Sequence, residues 1–162
     1  MLPPPPTLTD AALARAFERG EVPGADFHHA SHLRVAWVYL GECGSLADAA
    51  DRMAAALRRF ATSVGKAEKY HHTMTLFWMA ALAAVGSTMS DATADQVLQA
   101  HPELLDKDLP LAFYSRDRLF SDAARLSWVA PDRRPLTADA AAFRAVHPPS
   151  DPSHRALSRR PA

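Results

Sequence analysis

The six glycines of this chain, Gly20, Gly24, Gly41, Gly44, Gly65 and Gly86, cut its first half into apolar stretches of helical length. Those stretches repeat their apolar residues every three or four positions, and few alternate with the period of two that a half-buried strand needs. Glycine commonly follows the last turn of a helix. The punctuation therefore predicts an all-α helical bundle, and no convincing strand is found. Thr9 or Asp10 caps a short helix over 11–19, which Gly20 stops. Residues 21–26 read as a loop around Pro23 and Gly24. A second helix covers about 27–40, and Gly41 and Gly44 bracket the turn after it. Ser45 and Asp48 make a start like a capping box for a third helix over 46–64, ended by Gly65. A fourth runs over about 67–85 to Gly86, and a fifth over 91–99 stops before Pro102.

Beyond that point the pattern is less regular. Residues 111–114 and 119–129 have helical composition, and Pro131 and Pro135 close the stretch. The expectation is about five to seven helices on a four-helix core, followed by an irregular C-terminal segment. Residues 1–8 read as a flexible, proline-rich extended arm, 9–146 as one helical domain, and 147–162 as a disordered tail rich in Pro, Ser and Arg. No internal repeat is visible.

Composition removes several classes. With 162 residues, 48% of them hydrophobic, the chain can build one domain with a real core. Eighteen basic residues balance eighteen acidic ones, so no basic excess points to nucleic acid or to an anionic membrane. No apolar run reaches the roughly 18 residues of a membrane span; the nearest, 74–85, is too short. The N-terminus lacks the basic-then-apolar plan of a signal peptide. A lone cysteine, Cys43, excludes an intramolecular disulfide and a cysteine-based zinc site. A cytoplasmic protein of bacterial type is expected.

The chemistry gathers in histidines. Five of eight fall in two blocks, His28-His29-Ala30-Ser31-His32 and Tyr70-His71-His72-Thr73. Each opens a strongly apolar helical segment. At about 100° per residue, His29, Leu33, Ala36 and Leu40 share one stripe, with His32 at its edge. His71, Thr75, Trp78 and Leu82 share another. His28 and His72 lie farther round. The second helix rises roughly 18 Å from His29 to the Gly41 turn, the third descends at least as far, and the fourth rises again. Three antiparallel neighbours with short turns then bring His29, His32 and His71 to one end of a bundle. The positive end of each helix favours neutral imidazole and would also attract an anion.

Three imidazoles with an open position suit a divalent transition metal: Zn, Fe, Ni, Cu or Mn. The plain alternative is a polar cluster that holds the bundle end together by hydrogen bonds. His72, about 100° round from His71, is expected to act beside the metal in proton transfer. Glu68 can supply or orient a ligand, or be a surface charge. Trp37, Trp78, Phe60 and Phe77 read as core, and Arg58-Arg59 as a solvated face. Cys43 sits at the other end of the bundle.

Taken together, the motifs resemble those of a family of small bacterial helical proteins of unassigned function. That family's pattern is an aromatic residue before H-x-x-H-L-R, then Y-H-E-T-x-T, Y-S, S-x-x-A-R and P-D-x-x-P-L. Matching it here are His29, His32, Leu33 and Arg34; Tyr70, His71, Thr73 and Thr75; Tyr114 and Ser115; Ser121, Ala124 and Arg125; and Pro131, Asp132, Pro135 and Leu136. The resemblance covers about 27–136, and this chain departs from it at His72, where Glu is usual. It implies one site and no particular reaction. The later motifs suggest a segment that closes the site, with Tyr114 donating a hydrogen bond to substrate and Arg125 meeting an anion or pairing with Asp122.

These features add up to a mononuclear metal-binding helical protein, expected to be a small metal-dependent enzyme acting on a small molecule, in one reading an anionic one. The other readings are a non-catalytic metal- or ligand-binding sensor, and an interaction module with structural histidines. The expected partner is a small-molecule ligand, with no nucleic acid and no membrane; oligomeric state is left open.

Overall fold

The computed structural model describes residues 7–136. The expectations for 1–6 and for 137–162 fall outside the described residues. Within them the chain is all-helical, with seven α-helices, short 3-10 turns and no strand. Helix α1 is Asp10–Glu18, α2 His29–Glu42, α3 Leu46–Ser63, α4 His72–Gly86, α5 Ala94–Ala100, α6 Arg116–Leu119 and α7 Asp122–Leu126. Among the described residues no helix is long and apolar enough to cross a membrane.

Local chemistry sets the helix ends. Thr9 Oγ1 accepts the Ala12 amide at 3.2 Å, and Ser45 Oγ the Asp48 amide at 3.1 Å. Gly20 and Gly65 take φ of 70° and 71°, a conformation in which a β-carbon is penalised. There the chain folds back, and the Glu21 and Lys66 amides reach the Ala16 and Ala61 carbonyls. These contacts satisfy carbonyls that the last helical turn leaves unpaired.

Helices α1–α4 form the core, with α2 packed against α1, α3 and α4. Helix α2 buries Leu33, Val35, Ala36 and Tyr39, and α3 buries small residues such as Ala49, Ala50 and Ala56. Those alanines let α2 and α4 approach α3 closely. Helix α4 is apolar all round and buries Leu76, Phe77, Met79 and Leu82. It also takes α7 on one side. A semi-buried ion pair ties three elements together: Arg34 Nε donates to Asp10 Oδ1 at 2.7 Å, and Asp10 Oδ2 accepts the Ala94 amide at 2.9 Å. That pair gives Arg34 of the H-x-x-H-L-R motif its place.

Several expected boundaries move. Helix α2 starts at His29 rather than 27 and runs through Gly41 to Glu42. The expected fourth helix is broken: Ala67–Lys69 is a 3-10 turn, Tyr70 and His71 are extended, and α4 begins at His72. Gly86 closes α4 from inside, because a β-carbon there would lie 2.3 Å from Cζ3 of Trp37. The expected fifth helix starts late, at Ala94, where Thr93 caps it. Of residues 111–114, only Leu111 and Ala112 belong to a 3-10 turn, Leu109–Ala112. Residues 119–129 do not form one helix. Ser115 and Ser121 cap two short ones, and residues 128–130 have no regular structure.

Candidate functional site

Both His-His pairs straddle a helix start. His28 is the N-cap of α2 and His29 its first residue; His71 is the N-cap of α4 and His72 its first residue. The first turns of α2 and α4 meet the last turns of α3 around one cavity of ≈ 820 Å³. That volume lies within the roughly 300–1,000 Å³ typical of small-molecule sites. His29, His32, Leu33 and Ala36 line it from α2, as the stripe predicts, and Thr75 and Trp78 from α4. His71 and the exposed His28 line it too. Phe27 and Phe60 form a wall, with ring centroids 4.9 Å apart, and Phe17 stacks behind Phe27 at 4.4 Å.

The imidazoles are not equivalent. His29 Nε2 donates to the Leu104 carbonyl at 2.8 Å, and its ring meets the edge or face of Trp78 at 4.5 Å. That bond fixes the tautomer and leaves Nδ1 with its lone pair. His32 packs at 4.5 Å against Phe27 and has no hydrogen-bond partner among the described residues, although it lines the cavity. Burial, the like charge of His29 and His28, and Lys107 push its pKa down to about 4. His29 is lowered first by burial, which outweighs the Leu104 carbonyl. His71 is lowered by burial, with Arg125 acting in the same direction. All three imidazoles are neutral at pH 7.

His71 is occupied at both nitrogens. Nδ1 accepts the Met74 amide at 3.2 Å, and Nε2 donates to the Leu119 carbonyl at 2.8 Å. It is a helix cap and a strut to the C-terminal segment. Among the described residues no group of three His, Cys, Asp or Glu is placed to hold a metal ion. Of the expected ligands, His29 fits the donor set: its outer N–H is anchored on a carbonyl, as in many metal-bound imidazoles. His32 has nitrogens to offer. His71 fits only if it gives up its cap.

The other expected site residues lie off the cavity wall. His72 is buried; its Nδ1 stands 2.8 Å from the Tyr70 hydroxyl and 3.3 Å from Arg58 Nη2. A guanidinium only donates, so Nδ1 is the acceptor and Nε2 carries the hydrogen. Arg58 also lies over the Tyr70 ring, 4.8 Å from its centroid, so it is more than a solvated charge. Tyr70 does line the cavity, and His72 reaches the site only through it. Tyr114 is fully buried and donates its hydroxyl to the Val129 carbonyl at 2.8 Å. Tyr114 does not line the cavity. Arg125 is half-buried near His71, with no ion pair to Asp122 among the described residues, and does not line the cavity. Glu68 is exposed and lies off the wall. Cys43 caps the opposite end of α2.

The motif residues of the C-terminal segment bind one another and the bundle. Ser115 meets Asp132 through its amide at 2.7 Å and its hydroxyl at 2.6 Å, which holds the Asp132 carboxyl below its usual range. Thr73 Oγ1 donates to the Ser127 carbonyl at 2.7 Å and accepts the Val129 amide at 3.2 Å. The segment is therefore fastened along α4 rather than folded over the cavity. What the sequence reading missed is basic: Lys66, Lys69 and Lys107 line the cavity. The only signal was that Lys66 and Lys69 closely precede the second histidine block.

No family model, curated protein or solved structure matches the chain.

Proposed function

We propose that this chain is a small-molecule-binding helical protein and that the cavity between α2, α3 and α4 is its site. One observation carries the reading. His32 turns an unpartnered imidazole into a largely apolar cavity of ≈ 820 Å³. The ring is half-buried with its nitrogens still accessible from the cavity, so a ligand offering a hydrogen bond could take the place of water there. His29 Nδ1 adds a second acceptor on the same wall. The apolar wall supplies burial, and the two imidazoles fix orientation.

The test uses the neutral fluorophore N-phenyl-1-naphthylamine. Saturable enhancement with one site per chain is expected, and Ala61→Phe or Ala36→Leu, which project into the cavity, should abolish it. Circular dichroism checks that each variant is folded. Enhancement that survives in folded forms of both variants would show that the probe sits elsewhere and overturn the reading.

A second reading, a metal centre serving a small metal-dependent enzyme, rests on the carbonyl-anchored His29 beside the unpartnered His32. In it His29 and His32 would hold a divalent transition ion, with His71 joining only after release of the Met74 amide. When bound, such an ion would polarise a substrate oxygen or activate water. Elemental analysis of untagged protein, before and after chelation, decides it. Stoichiometric metal lost on His29→Ala supports this reading, and its absence from protein refolded with Zn, Fe, Ni, Cu or Mn removes it.

A further inference from the structure

We infer that the ligand of this cavity is an amphipathic anion, an apolar body ending in a carboxylate or similar group that sits toward Lys66, Lys69 and Lys107. The inference rests on the small-molecule reading above and adds the ligand's charge. Three basic side chains line the cavity, and no Asp or Glu does among the described residues. In a chain with equal numbers of acidic and basic residues, an all-basic set of charges around one cavity is a local choice.

The three ammonium groups come from two separate parts of the chain. Lys66 precedes and Lys69 ends the 3-10 turn between α3 and α4, and Lys107 follows the turn Pro102–Leu105. They are exposed, and none makes an ion pair among the described residues. Four arginines elsewhere are paired, Arg15 and Arg52 with Glu18 and Glu42, Arg19 with Glu21, and Arg34 with Asp10. Exposed charges of one sign around a low-dielectric cleft focus its field and raise the local concentration of the opposite ion.

Deeper in, the character changes. Phe27, Phe60, Leu57, Met53, Met79 and Trp78 make the body of the cavity apolar. Methionines adapt to irregular apolar shapes. The buried side of His32 meets this body, and there a neutral imidazole offers one donor and one acceptor. A ligand charged throughout would leave that wall unused, and a wholly apolar one would leave the lysines and His32 without partners. A molecule with one anionic end uses both.

The experiment compares matched pairs that differ only in charge: decanoate with decanol and decylammonium, and 2-naphthoate with 2-naphthol. Affinities are read on the full chain by displacement of N-phenyl-1-naphthylamine at low ionic strength. Decyl sulfate is included to separate carboxylate from other anionic heads. At least one anion should bind about tenfold tighter than its neutral partner, the effect of roughly 1.4 kcal/mol of charge attraction. Replacing Lys66, Lys69 and Lys107 together by Gln should erase that advantage and leave the neutral partner's affinity unchanged. Raising the salt concentration should erode it as well. Equal affinities within both pairs, tighter binding of decylammonium, or an advantage that survives the triple substitution would overturn the inference while leaving the small-molecule site standing. Failure of every member, together with failure of the fluorophore itself, would bring down both.

Discussion

At the scale of single residues, His71 shows how one side chain can look like a ligand and be a joint. Histidine is an uncommon helix cap, since Ser, Thr, Asp and Asn supply the oxygen that usually does this. Here Nδ1 takes the Met74 amide and Nε2 holds the Leu119 carbonyl, so the ring links the start of α4 to the end of α6. His71→Ala should remove both bonds and cost about 2 kcal/mol, the sum of a cap and a partly buried hydrogen bond. His71→Asn, which keeps a capping acceptor but cannot span to Leu119, should recover part of that. Urea denaturation of the two variants measures the difference. Equal losses would mean that the cap contributes nothing. The side chain of Thr73 works in a similar way from inside α4. Thr73→Val keeps shape and volume but strips the partner from the buried Val129 amide. A loss of about 1–3 kcal/mol is expected, with faster hydrogen exchange at the Val129 N–H as its local signature.

At the scale of elements, the helices that could be read from sequence are those with strong periodicity and a glycine or serine at the end. Helices α1 and α3 lie within a residue or two of expectation, because Thr9, Ser45, Gly20 and Gly65 all act locally. The first turn of the expected fourth helix is not α-helical, although residues 67–71 have ordinary helical composition. What breaks them is tertiary: His71 extends its backbone to reach Leu119. The histidine stripe of α2 is legible because helical geometry alone decides which residues share a face, whereas His71 reaches the same cavity from an extended cap position before α4. The lysines are not legible, because loop charges acquire meaning only from where a loop lies. The bond from the Tyr114 hydroxyl to the Val129 carbonyl is likewise not legible in sequence, because it depends on how the C-terminal segment packs. Gly86 is a further case in which the reason is a neighbouring element. Its missing side chain admits the Trp37 ring, whose Nε1 donates to the Ala92 carbonyl at 2.8 Å. Gly86→Ala should therefore destabilise by about 1–3 kcal/mol, the usual range for overpacking, despite alanine's better helix propensity. Trp37→Leu should make the same substitution nearly neutral. A double-mutant cycle read by thermal melting tests this coupling, and additive losses would refute it.

At the scale of the whole molecule, one end carries a basic-lined cavity with neutral histidines and the other carries paired charges. Arg52 Nη2 donates to Glu18 at 2.6 Å and Nη1 to Glu42 at 2.8 Å, while its guanidinium covers the Tyr39 ring at 4.0 Å. The two ends answer acid in different pH windows. Glu18 and Glu42 are held below the usual carboxylate value by Arg52 and Arg15 against the opposing effect of burial. Their contribution is present above about pH 4.5 and is lost only in stronger acid. His29, His32 and His71 have folded pKa values below the unfolded value of about 6.5. The unfolded chain therefore binds protons that the folded chain refuses. Stability is full above about pH 6.5 and falls as pH drops toward the folded values. Between pH 7.5 and 5 the carboxylates stay ionised and the histidines act alone. With a folded pKa of about 4, His32 should account for about 2 kcal/mol of the loss across that interval. His32→Gln, which cannot be protonated, should cut the loss by that amount and leave the decline below pH 4.5 in place. Urea midpoints at pH 7.5, 5 and 3.5 for the two proteins measure both windows. An identical drop in both proteins between pH 7.5 and 5 would show that acid reaches His32 without opening the cavity wall.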